Sequence, residues 1–136
     1  MAKKARAYVL DTWAVIAYLE DEPSGEKVED LIATAHEEQI PISMSVINVG
    51  EVWHTLAREV SEEEAHAAVK ILSDLRIQFE NADWALTLEA ARFKSQHKMS
   101  YADAFAAALA KNRKADLVTG DNEFKPLDGE IRISWV

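Results

Sequence analysis

The chain has 136 residues, 49% of them hydrophobic and 29% charged, with 24 acidic against 15 basic side chains and a formal net charge of -9. That length fits one compact domain spanning residues 1–136. Only 4 Gly and 3 Pro exclude a collagenous or linker-rich chain, and the absence of cysteine excludes disulfides and thiolate metal sites. No run approaches the roughly 20 apolar residues of a membrane span, and a cysteine-free chain suits a reducing, cytoplasmic address. The acidity opposes binding to nucleic acid, whose phosphates need cations. It suits a carboxylate cluster that holds metal, or a surface that meets a basic partner.

Lys3, Lys4 and Arg6 precede an apolar run as in an export signal. Asp11 interrupts that run and no small-residue cleavage site follows, so export is not expected. Residues 7–10 read as a buried strand, 12–19 as a helix stopped by Glu20-Asp21-Glu22-Pro23, and 24–38 as a second helix. Ile40-Pro41-Ile42 predicts a second strand. Residues 45–60 are amphipathic, with Val49, Val52, Trp53, Leu56 and Val60 on one side. Ser61 and Glu64 have capping-box spacing and open a helix to about Leu75. Ile77-Gln78-Phe79 predicts a third strand and Asp83 the start of a helix to about His97. Ser100 caps a helix whose body, 101–110, is apolar and small-residued, with Lys111, Arg113 and Lys114 at its end. The 22 alanines favour helices that pack close to a neighbour. Leu117-Val118-Thr119 predicts a fourth strand, closed by Gly120-Asp121, and 131–136 a fifth.

Short strands separated by helices predict an α/β fold with a central parallel sheet, helices on both faces, and ligands at the carboxyl ends of the strands. Asp11 and Asp121 both follow a predicted strand directly. Each also has a local reading, Asp11 as a helix N-cap and Asp121 as a turn residue in Gly-Asp-Asn. Glu51 shares a helix stripe with Asn48 and Thr55, either a solvated face or the lining of a cleft. Asp103 has capping-box spacing from Ser100, yet it is the one charged residue between Met99 and Ala110. A carboxylate on so apolar a helix needs donors, a cation or a proton. Like charges about 4 Å apart repel by about 4 kcal/mol at an effective dielectric near 20. An all-oxygen set selects hard cations such as Mg²⁺ or Mn²⁺. Zinc is disfavoured, because His36, His54, His66 and His97 have no metal-site spacing.

These residues resemble the PIN-domain family, and within it the VapC-like toxin ribonucleases of type II toxin–antitoxin systems. The resemblance runs from Tyr8-Val-Leu-Asp11-Thr12, through Ser45 to Glu51 and Ser100-Tyr-Ala-Asp103-Ala, to Thr119-Gly-Asp121-Asn-Glu-Phe124. It implies a single nuclease domain, a three-layer α/β/α sandwich around a mainly parallel sheet of about five strands. It implies that Asp11, Glu51, Asp103 and Asp121 form a catalytic, metal-holding set for Mg²⁺ or Mn²⁺, with Asp11 and Asp103 as direct ligands. Thr12, Asn48, Ser100 and Thr119 would orient those carboxylates. Glu123 is a further acid outside that core. The implied activity is hydrolysis of RNA phosphodiesters by metal-activated water, leaving a 5′-phosphate and a 3′-hydroxyl. The implied partners are an RNA substrate, a cognate antitoxin and a second copy in a homodimer. Arg92, Lys94, Lys98, Lys111, Arg113 and Lys114 are candidate RNA-holding cations, or helix-end cations. Trp13 and Trp53 are either core residues or anchors for an antitoxin helix or dimer contact.

Two other classes fit parts of the pattern. A catalytically silent PIN-like binding module would keep the fold without the chemistry. An aspartyl-nucleophile phosphatase would want a second acid two residues after Asp11, where this chain has Trp13.

Overall fold

Because each strand but the last leads into helical chain, neighbouring strands meet in parallel. The computed structural model describes residues 4–136, so Lys3 of the basic start lies outside the described residues. The elements follow as β1 (Tyr8–Leu10), α1 (Thr12–Leu19), α2 (Pro23–Glu37), β2 (Ile42–Ser45), α3 (Val46–Glu59), α4 (Glu62–Asp74) and β3 (Gln78–Glu80). Then come α5 (Trp84–Gln96), α6 (Tyr101–Arg113), β4 (Asp116–Thr119), a 3-10 helix (Asn122–Leu127) and β5 (Arg132–Trp135). All five strands are parallel, in the spatial order β3-β2-β1-β4-β5.

Strand alternation divides the core in two. Val9 and Leu117 point into a layer built by α5, α6 and the 3-10 helix, with Phe93, Phe105, Phe124 and Leu127. Leu10, Val118, Ile42 and Met44 point into the opposite layer, built by α1 to α4. The result is the three-layer α/β/α arrangement expected from the sequence. Helix α6 shows why so many alanines are needed. Ala104 and Ala106 to Ala108 are fully buried where the helix crosses β1 and β2. Val9 pairs there with Ser43, so the sheet too offers a small residue beneath the helix.

Two boundaries differ from the sequence reading. The second strand lies at Ile42–Ser45 rather than 40–42. Ile40 gives its N–H to the Ala35 carbonyl at 2.8 Å, closing α2, and Pro41 has no N–H to add to a ladder. The segment after Gly120-Asp121, read as a turn, winds into the 3-10 helix. The Asp121 side chain caps it by accepting from Glu123 N at 2.9 Å, and Phe124 and Leu127 are driven into the core.

Candidate metal centre

Strand order reverses between β1 and β4, since β2 and β3 lie on one side of β1 and β4 with β5 on the other. Chain leaving β1 turns to one face as α1, and chain leaving β4 turns to the other as the 3-10 helix. In such sheets ligands bind beyond the carboxyl ends of the strands at this point. Asp11 and Asp121 directly follow β1 and β4 there.

Asp11 is only 1% exposed. One carboxylate oxygen accepts Ala14 N–H at 2.8 Å, capping α1, and the other accepts the Thr119 hydroxyl at 2.6 Å. Thr119 Oγ1 in turn accepts Asp121 N–H at 3.0 Å, so one hydroxyl ties both acids to the sheet edge. Burial pushes the Asp11 carboxyl up to about 7 against those two donors, and the charges of Asp103 and Asp121 push it further. Asp103, in the first turn of α6, is pushed up to about 6. Burial is again the main cause, followed by Asp121, with Glu51 and Glu123 adding to it and the Ser100 hydroxyl opposing. Ser100 also accepts Asp103 N–H at 3.1 Å as the cap of α6.

The tightest grouping is Asp103, Asp121 and Glu123, which bring carboxylate oxygens within 4.8 Å of one another. Glu123, set outside the core by sequence, therefore stands inside the cluster. The signal that would have found it is helical: Asp121 caps the 3-10 helix, and Glu123 lies in the first turn it caps. Asp11 and Glu51 lie outside that grouping of three, yet both belong to the same field, Asp11 feeling Asp103 and Asp121, and Glu51 acting on Asp103.

Asn48 is fully buried, so its helix face is turned inward rather than solvated. Its Nδ2 donates to Thr12 Oγ1 and to the Ala102 carbonyl, both at 3.1 Å. Thr12 donates to the Asn48 carbonyl at 3.5 Å. One amide thus joins the helix after Asp11, the helix bearing Glu51 and the helix bearing Asp103. Thr12 and Asn48 act on helix placement rather than bonding a carboxylate, while Thr119 and Ser100 reach the acids themselves. The Asn48 Oδ1 is buried and has no hydrogen-bond partner among the described residues.

Gly120 explains the position of Trp13. A Cβ at Gly120 would overlap the Trp13 indole, so the ring lies directly against the backbone between Thr119 and Asp121. Replacing Gly120 by Ala is expected to destabilise the protein by about 1–3 kcal/mol, the range for overpacking. Thermal unfolding checks this, and an unchanged melting temperature would mean that the ring moves aside freely.

Fold and site define an α/β protein with a carboxylate cluster at the reversal point of its sheet. The family model described as PIN domain matches residues 8–130, and the chain belongs to that family. No curated protein matches the chain significantly. Among solved structures, DNA-bound VapBC from Salmonella typhimurium shares the fold with a TM-score of 0.78 at 19% identity, over 95% of this chain and 97% of that chain. VapBC2 from Rickettsia felis, bound to a DNA fragment from its promoter, gives 0.73 at 20% identity, over 96% and 98%. VapC20 of Mycobacterium tuberculosis, described as a Sarcin-Ricin loop cleaving toxin, gives 0.72 at 21% identity, over 90% and 95%. No helix among the described residues is long and apolar enough to cross a membrane.

Proposed function

We propose that this chain is a divalent-metal-dependent endoribonuclease, the toxin of a toxin–antitoxin pair. The observation that carries the reading is the convergence of Asp103, Asp121 and Glu123, with Asp11 and Glu51 beside them, in a member of the PIN-domain family. The donor set fits Mg²⁺ or Mn²⁺, since every candidate ligand is a carboxylate oxygen and Asp103, Asp121 and Glu123 already crowd their charges together. Asp103, Asp121 and Glu123 would hold the ion, with Asp11 and Glu51 completing the site. Once bound, such an ion supplies a water of lowered pKa and offsets charge on the reacting phosphate.

The protein's own share is positional. Thr119 and Ala14 N–H fix the Asp11 carboxylate, Ser100 fixes the start of α6, and Asn48 holds three helices in register. The Asp11 carboxylate is therefore already ordered before an ion arrives. The toxin role is extended from VapC20 and the antitoxin partner from the VapBC structures named above, while the RNA substrate and a homodimer rest on the family resemblance. An acidic protein suits an antitoxin with a basic segment. The phosphatase reading fares worse, because position 13 holds an indole packed on Gly120 rather than an acid.

The test is cleavage of single-stranded RNA by the purified chain with Mg²⁺ or Mn²⁺ and with EDTA. Cleavage with either ion, products bearing a 5′-phosphate and none in EDTA are expected. Glu123→Gln should weaken the apparent Mn²⁺ affinity by about 10-fold or more. A silent module would show no cleavage and no carboxylate-dependent Mn²⁺ binding, and would overturn the reading.

A further inference from the structure

Among the described residues, two buried side-chain atoms lack a hydrogen bond, Asn48 Oδ1 and His97 Nε2. His97 Nε2 lies 2.8 Å from a Glu130 carboxylate oxygen and so has a polar neighbour of its own. Asn48 Oδ1 is left as the orphan, closed to solvent on a fully buried residue. Burying a polar atom without a partner is costly, and native proteins rarely do it without cause. The amide has a single orientation that fits. Nδ2 meets the Ala102 carbonyl at 3.1 Å, and a carbonyl only accepts, so the nitrogen belongs on that side.

The two Nδ2 bonds also fix where the orphan lies. They run to Thr12, which follows Asp11, and to Ala102, which precedes Asp103, both at 3.1 Å. Glu51 stands three residues further along α3, and side chains at that spacing are neighbours on a helix. Asn48 is thus bracketed by the residues adjoining Asp11 and Asp103 and by Glu51 itself. None of these groups is placed to donate to Oδ1. Ionised carboxylates only accept, and the Thr12 hydroxyl hydrogen goes to the Asn48 backbone carbonyl at 3.5 Å. Bulk water does not reach the atom either. An acceptor lodged among acceptors calls for a donor between them. Water on a hard cation is such a donor, since Mg²⁺ sheds its waters reluctantly and usually keeps several, and the metal makes their hydrogens more acidic.

We propose that Asn48 is part of the ion's site, its Oδ1 accepting a hydrogen bond from a water carried by the ion. The amide then works at both ends, Nδ2 setting the starts of three helices and Oδ1 steadying the hydrated ion. This rests on the metal-dependent reading above and adds an uncharged residue to the carboxylates. An aspartate at 48 would lose both Nδ2 bonds and bring another negative charge to acids that already repel. A leucine of similar size would keep the packing and lose both ends.

The experiment is Mn²⁺ binding, read from the EPR signal of the free ion, beside thermal unfolding in EDTA, for wild type, Asn48→Leu and Asn48→Asp. Asn48→Leu is expected to weaken Mn²⁺ binding by about 10- to 100-fold, the range for losing a group that supports a metal's ligands. Asn48→Asp, which keeps an oxygen for the water, is expected to bind Mn²⁺ more tightly than Asn48→Leu while melting at a lower temperature in EDTA. Holding helices together would not by itself separate affinity from stability in this way. A second measurement needs no variant. In isotope-labelled wild type, the Asn48 Cγ resonance should move downfield as Mg²⁺ is added, because a carbonyl carbon is deshielded when its oxygen gains a hydrogen bond. Three results overturn the proposal and leave the metal-dependent reading standing: equal affinity in wild type and Asn48→Leu, weaker binding by Asn48→Asp than by Asn48→Leu, or a Cγ resonance that Mg²⁺ leaves in place. A wild type that binds no Mn²⁺ fells that reading, and the role of Asn48 with it.

Discussion

Asp11→Asn is expected to cut RNA cleavage by about a hundred- to a thousand-fold, the scale of losing one electrostatic group at a reacting centre. The same change should raise the melting temperature of the ion-free protein at pH 8. Asp11 is buried, and its carboxyl is pushed from 3.8 to about 7, so the folded state resists its ionisation. A shift of about 3 units at 1.36 kcal/mol each sets an upper limit of about 4 kcal/mol on the relief. Asparagine keeps one local bond and reverses the other: its Oδ1 can accept Ala14 N–H, while its amide would donate to Thr119 Oγ1, which now donates to Asp11. Asp103→Asn should lose activity as severely with a smaller gain in stability, because Asp103 is less buried. Cleavage assays beside thermal unfolding in EDTA check both halves. A lower melting temperature for Asp11→Asn at pH 8 would show that the carboxylate is already relieved without an ion.

Ion-free protein should also lose stability as pH rises from about 4 to 7. Asp11 and Asp103 both have raised values in the folded state, so over that window the folded chain holds more protons than the unfolded one. Stability then falls with increasing pH. The contribution is fully present below about pH 4 and is gone above the folded value near 7, at a scale of about 4 kcal/mol for Asp11 alone. Glu89 works in the opposite sense, because Lys111 and Arg92 lower it, and its contribution is lost only on acidification. Mn²⁺ at about 100 times its dissociation constant should return about 2.7 kcal/mol, with far less effect at pH 5, where protons occupy the carboxyls. Urea unfolding at pH 5 and 8, with and without Mn²⁺, measures all four corners. A flat profile in EDTA would contradict the crowding of these acids.

The parallel α/β plan was legible because its signals are strong and local. Apolar triplets such as Tyr8-Val9-Leu10 end at an acid, and Ser61, Asp83 and Ser100 are helix caps in the structure as expected. Sequence readings placed the second strand early because β-branched Ile40 and Ile42 outweighed the missing donor of Pro41. What sequence did not disclose was distance-dependent. Glu123 reads in sequence as a further acid outside the core set, and the 3-10 helix brings it beside Asp103. Asn48 looked like part of a polar stripe, and only the packing of α6 shows why an amide is buried there. Arg92, Lys111 and Arg113 read as candidates for phosphate or for helix ends; Arg92 pairs within its own helix with Glu89, while the partners of Lys111 and Arg113, Glu89 and Glu80, lie well away along the chain.

A capping role for an acid does not compete with the metal-holding role proposed for it. Asp11 caps α1 and Asp121 caps the 3-10 helix, while both belong to the same field of acids. Among the described residues, the side chains of Glu51, Asp103 and Glu123 make no capping bond. A descendant freed from catalysis would therefore shed the latter three first and keep aspartate at 11 and 121 to start its helices. In a distant cousin, surviving aspartates at those two places would be poor witnesses to a working enzyme, and the acids at 51, 103 and 123 the better ones.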